Sequence, residues 1–443
     1  MENRLNKQVY ILTLGCPKNT VDSENIAYLL DEKGYSLCES DAEADIIIIN
    51  TCSFIHDAKE ESIEAIMQAV LLKEQNPKIK IVVCGCFAQR YASEIETDIS
   101  EVDYIVGTGD FFDIVDIIEK DEKTKIENIN APIVETGRIL TTPSHYAYVK
   151  LAEGCNKKCT YCIIPKLRGK QRSRKIDEIV KEVKDLVALG VREIILIAQD
   201  TGEYGTDLYK ERSLYRVIDE LGKIDELRWL RVLYVYPETI DERLITSMRN
   251  SKNFVHYLDI PFQHINDEVL HSMGRNTSSK KIKTTIDLLR ENMPDVIIRS
   301  SFITGFPNET KEQAKELGEF FTEYKLDKVG VFTYSMEEGT KAATFTGQLE
   351  EDEKQRRFEY LMNIQETVSE HNLEKQLDRV LDVVIEEEVE GEDSVYIGRS
   401  YADAPQIDGV VYVYSDEELE IGEFYPVEIN DSMQYDLIGR VRA

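Results

Sequence analysis

Three cysteines in one short run, EGCNKKCTYCIIPKLRG, set the tightest limit on this chain: Cys155, Cys159 and Cys162 stand in a C-x3-C-x2-C spacing. Thiolates this close together can hold three irons of a [4Fe–4S] cube, and with no fourth cysteine nearby one iron stays open for chemistry. A zinc site asks for four ligands in two pairs. Here no second C-x2-C exists and no His follows within twenty residues of Cys162. A disulfide with one spare thiol would need an oxidising compartment. The fold must therefore deliver this loop to one edge of a rigid scaffold.

The surrounding pattern supplies such a scaffold. Residues 146–152, just before Cys155, read as a strand. Further strand patterns at 193–198, 230–236, 255–260, 296–303 and 328–334 alternate with helical ones such as 176–189, 279–291 and 311–324. Six βα units fit an incomplete TIM-like barrel, with its chemistry at the carboxyl ends of the strands. Upstream, 9–14, 45–50, 79–84 and 102–106 read as strands around amphipathic helices at 23–33 and 57–73. That alternation implies a parallel sheet with crossover helices. Downstream, a charged helix at 352–377 precedes short strands at 380–384, 395–398, 409–413, 423–430 and 436–442. These suit a small OB-like β-barrel. The expected class is α/β in three domains, 1–125, 140–372 and 374–443, with a polar connection over 126–144.

The N-terminal sheet carries cysteines of its own. Cys16, Cys52 and Cys86 each follow a strand, in TLGCPKN, NTCSF and VVCGCFAQR. Open α/β sheets build their sites just past the carboxyl ends of their strands. Three loops on one edge can thus gather these thiols into a second three-cysteine site, with packing of apolar thiols as the alternative. Gly15 and Gly85 each precede a cysteine, as tight strand-to-loop turns require. Cys84 lies within an apolar strand and reads as core, while Cys38 has no partner by spacing.

Charge narrows the partners. The chain carries 84 Asp and Glu against 53 Lys and Arg, a net charge of −31. Such a surface repels a polyanion and steers toward a basic partner, although solubility is the plainer use of acidity. Residues 378–443 hold 18 acidic residues against four Arg and no Lys. That argues against the nucleic-acid binding common in small barrels. The one basic run, Lys166, Arg168, Lys170, Arg172, Arg174 and Lys175, reads as a solvated loop face. No apolar h-region opens the chain, and its pure aliphatic runs, such as 46–49, are far too short to span a bilayer. The expectation is a cytoplasmic protein without a membrane segment, in which eight Cys signal metal or catalysis.

With TLGCPKN, NTC and GCFAQR around its first three motif cysteines, the chain resembles the methylthiotransferases of the radical S-adenosylmethionine (SAM) superfamily over essentially its full length. The resemblance implies two [4Fe–4S] clusters, one on Cys155, Cys159 and Cys162 and one on Cys16, Cys52 and Cys86. It also implies SAM, an electron donor such as a flavodoxin or ferredoxin, and a C-terminal barrel of the TRAM type. AQDTGEYG, YLDIPFQHIN, GVFTYSMEEGT and GRSYADAPQIDG are similar to one branch of that family. This branch adds a methylthio group to the β-carbon of an aspartate in small-subunit ribosomal protein number twelve. The alternative branch modifies an adenosine of tRNA, and the acidic last domain disfavours it.

Contacts to SAM follow from the same comparison. Tyr161 would meet the adenine, and Gln199 and Asp200 the amino group. Arg299 and Ser301 would meet the carboxylate and ribose, the Arg fork suiting a carboxylate. Gln263, beside His264, completes the set. Ordinary packing and polar pairing inside the barrel are the alternatives. With the resemblance, the basic run Lys166 to Lys175 gains two further options, contact to ribosomal RNA or to the SAM carboxylate. FITGFPNET departs from the family pattern with Asn308 in place of Gly, a residue that tolerates left-handed backbone. Trp229 reads as packing. A colourless, zinc-stabilised binding module is the rival class, and no H-E-x-x-H, P-loop or G-x-S-x-G motif offers another chemistry.

Overall fold

The computed structural model describes residues 7–392 and 394–442. The N-terminal sheet comprises β1 (Gln8–Thr13), β2 (Ser36–Leu37), β3 (Ile46–Thr51), β4 (Lys80–Gly85), β5 (Tyr104–Val106) and β6 (Thr124–Lys125), all parallel in the order β2-β1-β3-β4-β5-β6. Every residue of β3 is buried, as expected of an isoleucine run covered on both faces. The two-residue edge strands β2 and β6 carry too little pattern to be read in advance. α1 runs over Pro17–Glu32, starting well before the expected 23, because Pro at the first helical position has its φ preset. α2 (His56–Gln75) and α3 (Cys86–Asp98) complete the crossovers.

The central barrel follows. Its strands are β7 (Tyr146–Lys150), β10 (Glu193–Ile197), β11 (Trp229–Val232), β12 (Phe254–Asp259), β13 (Ile297–Thr304) and β14 (Lys328–Thr333), and a short antiparallel pair, β8 (Ala152–Glu153) and β9 (Arg172–Ser173), lies beside them. The six parallel strands run in the order β14-β13-β12-β11-β10-β7, with β14 and β7 as its unpaired ends. β11 stops at Val232 because Tyr234 takes φ +62°, which no strand accommodates. Asn308 takes φ +65°, the left-handed turn that its side chain allows.

The helix Glu351–Glu374 leads into a closed five-stranded barrel: β15 (Val380–Glu388), β16 (Val395–Ser400), β17 (Val411–Tyr414), β18 (Phe424–Ser432) and β19 (Leu437–Val441). This barrel seals the amino ends of the central strands. Glu193, at the start of β10, accepts from Arg231 at 2.8 Å and from Arg399 of the last domain at 2.7 Å, with all three fully buried. Lys328 pairs with Asp403 at 2.7 Å, and the Tyr257 hydroxyl donates to Asp408 at 2.6 Å. The GRSYADAPQIDG segment is therefore the floor of the central barrel. Trp229 is packing, as expected, but across the domain boundary, with its ring edge-on to Phe424 at 4.7 Å.

Candidate functional site

The opposite, carboxyl ends of the two parallel sheets face each other, and all six motif cysteines lie there. Cys16 caps α1 directly after β1, Cys52 follows β3, and Cys86 opens α3 after β4. Gly15 and Gly85 hold φ +89° and +90°, and a Cβ on Gly15 would come within 2.9 Å of the Cys52 sulfur. The three thiols feel one another: burial, then the Cys86 and Cys16 thiols, push Cys52 up to about 12. Cys84 is buried in β4 among the core side chains, and Cys38 lies apart from both groups, packed against the other face of the sheet.

Cys155, Cys159 and Cys162 form the second group. Burial and then Cys159 push Cys162 up to about 12. Burial also lifts Cys155 to about 11, with Asp200 and Cys159 adding to it and a backbone N–H from Lys157 opposing. Among the described residues no three Cys, His, Asp or Glu side chains close on a single ion. A cube places each thiolate on a different iron, so its ligands need not converge on one point. Buried thiols whose thiolate forms are this disfavoured require a cation to be held ionised, and each group fits an iron–sulfur cube with one iron open.

Between the groups lies a buried network. Arg168 donates to the Cys86 sulfur at 3.4 Å, to Asp22 at 2.7 Å, to Glu153 at 3.2 Å and to Asn19 at 2.5 Å. Lys150 pairs with Asp22 and Glu153. Burial alone would raise the Glu153 carboxyl, but Arg168, Lys150 and Gln199 hold it down to about 2. Here the basic run departs from expectation. Arg168 and Arg174 are buried, not solvated, because each has carboxylates on neighbouring elements to satisfy it. Lys150 and Glu153, charges inside YAYVKLAEGC, were the available sign of this network.

The expected SAM contacts divide. Gln199 and Asp200 lie beside the barrel thiols, and Gln199 Oε1 and Asp200 Oδ2 are buried without a hydrogen-bond partner. Burial raises the Asp200 carboxyl to about 6 against the pull of Lys157. Tyr161 packs against Met273, Phe306 and Tyr334. Gln263 stands at φ +73°, its N–H donating to the Ser301 carbonyl at 2.9 Å. Arg299 is occupied by Asp259 at 2.9 Å and Asp408 at 3.4 Å, near the floor. His264 is buried with Nε2 unpartnered. Arg275 was not anticipated: it is buried, its guanidinium lies 4.1 Å from the Tyr236 ring centroid, and its Nε and Nη1 have no partner.

Comparison with known proteins adds to this geometry. Residues 8–107 match the uncharacterized protein family UPF0004, 149–321 the radical SAM superfamily and 379–441 the TRAM domain. A Thermoanaerobacter sp. (strain X514) protein, ribosomal protein uS12 methylthiotransferase RimO, is 47% identical over 98% of this chain and 99% of its own. The protein of the same name from Clostridioides difficile (strain 630) is 45% identical over 98% of each. Among solved structures, the radical SAM methyltransferase TsrM from Kitasatospora setae superposes with a TM-score of 0.53 at 13% identity, over 74% of this chain and 73% of that one. At that identity the likeness concerns the fold.

Proposed function

The chain belongs to the radical SAM methylthiotransferases of the RimO family, and from that membership we propose that it adds a methylthio group to the β-carbon of an aspartate in ribosomal protein uS12. The observation that carries this reading is the pair of thiol triplets, each partly to fully buried, at the facing carboxyl ends of two sheets, joined through Arg168. Cys155, Cys159 and Cys162 would hold one [4Fe–4S] cluster, and Cys16, Cys52 and Cys86 a second. Bound there with SAM, they supply hydrogen removal from an unactivated carbon, sulfur, and a methyl group.

The chain's own residues bind, orient and exclude water. Arg275 offers free N–H groups to the SAM carboxylate, and Asp200 with Gln199 offers acceptors to its ammonium. Lys157 lies 3.5 Å from Asp200 and balances that carboxylate until SAM arrives. Tyr161, beside Cys162, with Gln263 and Ser301 would shape the adenosyl end, while Arg299 is held by Asp259 and Asp408. Glu153, held ionised by Arg168 and Lys150, ties the loop of Cys155 to that of Cys86. A C–H bond on the β-carbon of aspartate is neither acidic nor activated, so a general base would not suffice.

Several wider assignments belong to the same reading. Residues 1–125, 140–372 and 374–443 are the three working units. The net charge of −31 suits a basic substrate protein. No helix among the described residues is long and apolar enough to cross a membrane; the reading further assigns a cytoplasmic location and a flavodoxin or ferredoxin as electron donor. The test is the intact mass of uS12 from cells lacking this gene. One methylthio increment should be lost, and restored by the normal gene but not by a Cys159→Ala copy. An unchanged mass overturns the reading.

A further inference from the structure

Nine Lys and Arg side chains are buried among the described residues, and two of them, Arg275 and Lys18, have no carboxylate partner. The other seven pair with Asp or Glu, for example Lys150 with Asp22 and Arg231 with Glu193. In a chain with 84 acidic residues, an unpaired buried cation marks a place kept for a foreign anion, because burying a charge alone is costly. Arg275 stands beside Cys159 and the SAM site. Lys18 stands in the other half.

Lys18 lies two positions after Cys16, in the first turn of α1. Helix amino ends already carry partial positive charge and favour acidic side chains. This one has no acidic residue in its first turn and a lysine instead. The Lys18 ammonium sits 3.5 Å from the ring centroid of Tyr234, across the junction between the two sheets. Tyr234 is itself strained, at φ +62°, and its N–H donates to Asp259 at 3.2 Å. Two residues on, Tyr236 carries Arg275 at 4.1 Å and Lys157 at 5.0 Å. One short segment, 234–236, thus holds a cation toward each thiol group.

We propose that Lys18, with the amino end of α1 behind it, binds the side-chain carboxylate of the substrate aspartate. The inference rests on the reading that the target is a protein aspartate. The reacting β-carbon must lie between SAM and the sulfur source, and the carboxylate is attached directly to that carbon. A cation beside Cys16, facing the barrel, meets this requirement. An amide of the same shape offers no charge to the ammonium, so Lys18 would also make the site prefer Asp over Asn. The competing role for Lys18 is to offset the negative charge of a cluster on Cys16.

The test uses the cluster-loaded full chain with SAM and two peptides spanning the target site of uS12, one with the native Asp and one with Asn there. The wild type should bind the Asp peptide about ten- to a hundredfold more tightly, the range of one charge-assisted contact. K18M should lose that preference at wild-type iron content, and K18R should keep most of it. If K18M loses iron, K18Q takes its place on the same peptide pair, and a K18Q protein that keeps the preference overturns the assignment. Equal binding of the two peptides by the wild type overturns the assignment. So does a K18M protein that keeps the preference, or one whose only change is the midpoint potential of a cluster. Failure of the broader reading is seen separately, in a uS12 mass that does not change on deletion of the gene.

Discussion

The central barrel has two ends, and both are closed by buried ions from another domain. At the floor, Glu193, Arg231 and Arg399 satisfy one another, and Asp403 and Asp408 answer Lys328, Arg299 and Tyr257. At the mouth, Arg168, Lys150, Asp22 and Glu153 are equally well paired, yet Lys18 and Arg275 have no acid and Asp200, Gln199 and Ser53 carry unpartnered oxygens. The floor is mostly complete as it stands, apart from Arg231 Nη2 and His145 Nδ1. The mouth is complete only with other molecules in it. Unmet polar demand, more than charge or burial alone, separates the site from the scaffold.

The largest break should come at the floor. Glu193→Ala strands two buried guanidinium groups and should cost about 3–5 kcal/mol, read as a lower denaturant midpoint with SAM affinity of the surviving folded protein little changed. At the mouth the signs should oppose each other. Arg275→Met removes an unpaired buried cation, so the protein without SAM should hold or gain stability, while SAM affinity falls about ten- to a hundredfold by calorimetry. If Arg275→Met destabilises as Glu193→Ala does, the contrast between the two ends fails.

Acid sharpens the same contrast. Against the effect of burial, Arg168 and Lys150 hold the folded Glu153 carboxyl down to about 2, below its ordinary value of 4.5. Its contribution to stability is therefore full above about pH 4.5 and is lost as the pH falls toward 2, about 3 kcal/mol. Glu153→Gln should flatten that part of the stability–pH curve relative to the wild type. The smallest effect belongs to Trp229→Leu, which removes the edge contact to Phe424 and should cost about 1 kcal/mol without altering SAM binding.

Much of this was legible in the residues because it was local. The six motif cysteines, each just after an apolar run, placed both thiol groups at strand ends, and the period of two or three to four placed the long elements. Cues that depend on a distant partner were not legible. Nothing in LRGKQRSRK says that Arg168 is buried, since its partners Asp22 and Asn19 lie 146 and 149 residues away. Arg299 looked free for a ligand until Asp408 reached it from the last domain. Lys18 carried no such cue, because the expected helix began at 23 and only the structure, starting it at Pro17, puts a lysine in its first turn. Arg275 had no local signal at all.

The floor also sets an order of events during synthesis. Arg399 lies 206 residues after Glu193, so at about 5–20 residues per second Glu193 and Arg231 wait roughly ten to forty seconds on the ribosome for their third member. All six motif cysteines have emerged well before then. The nascent chain thus has a period in which both thiol loops exist while the barrel base is still electrostatically open, and a ribosome stalled in the last domain would release a chain with its cysteines in place and its foundation unfinished.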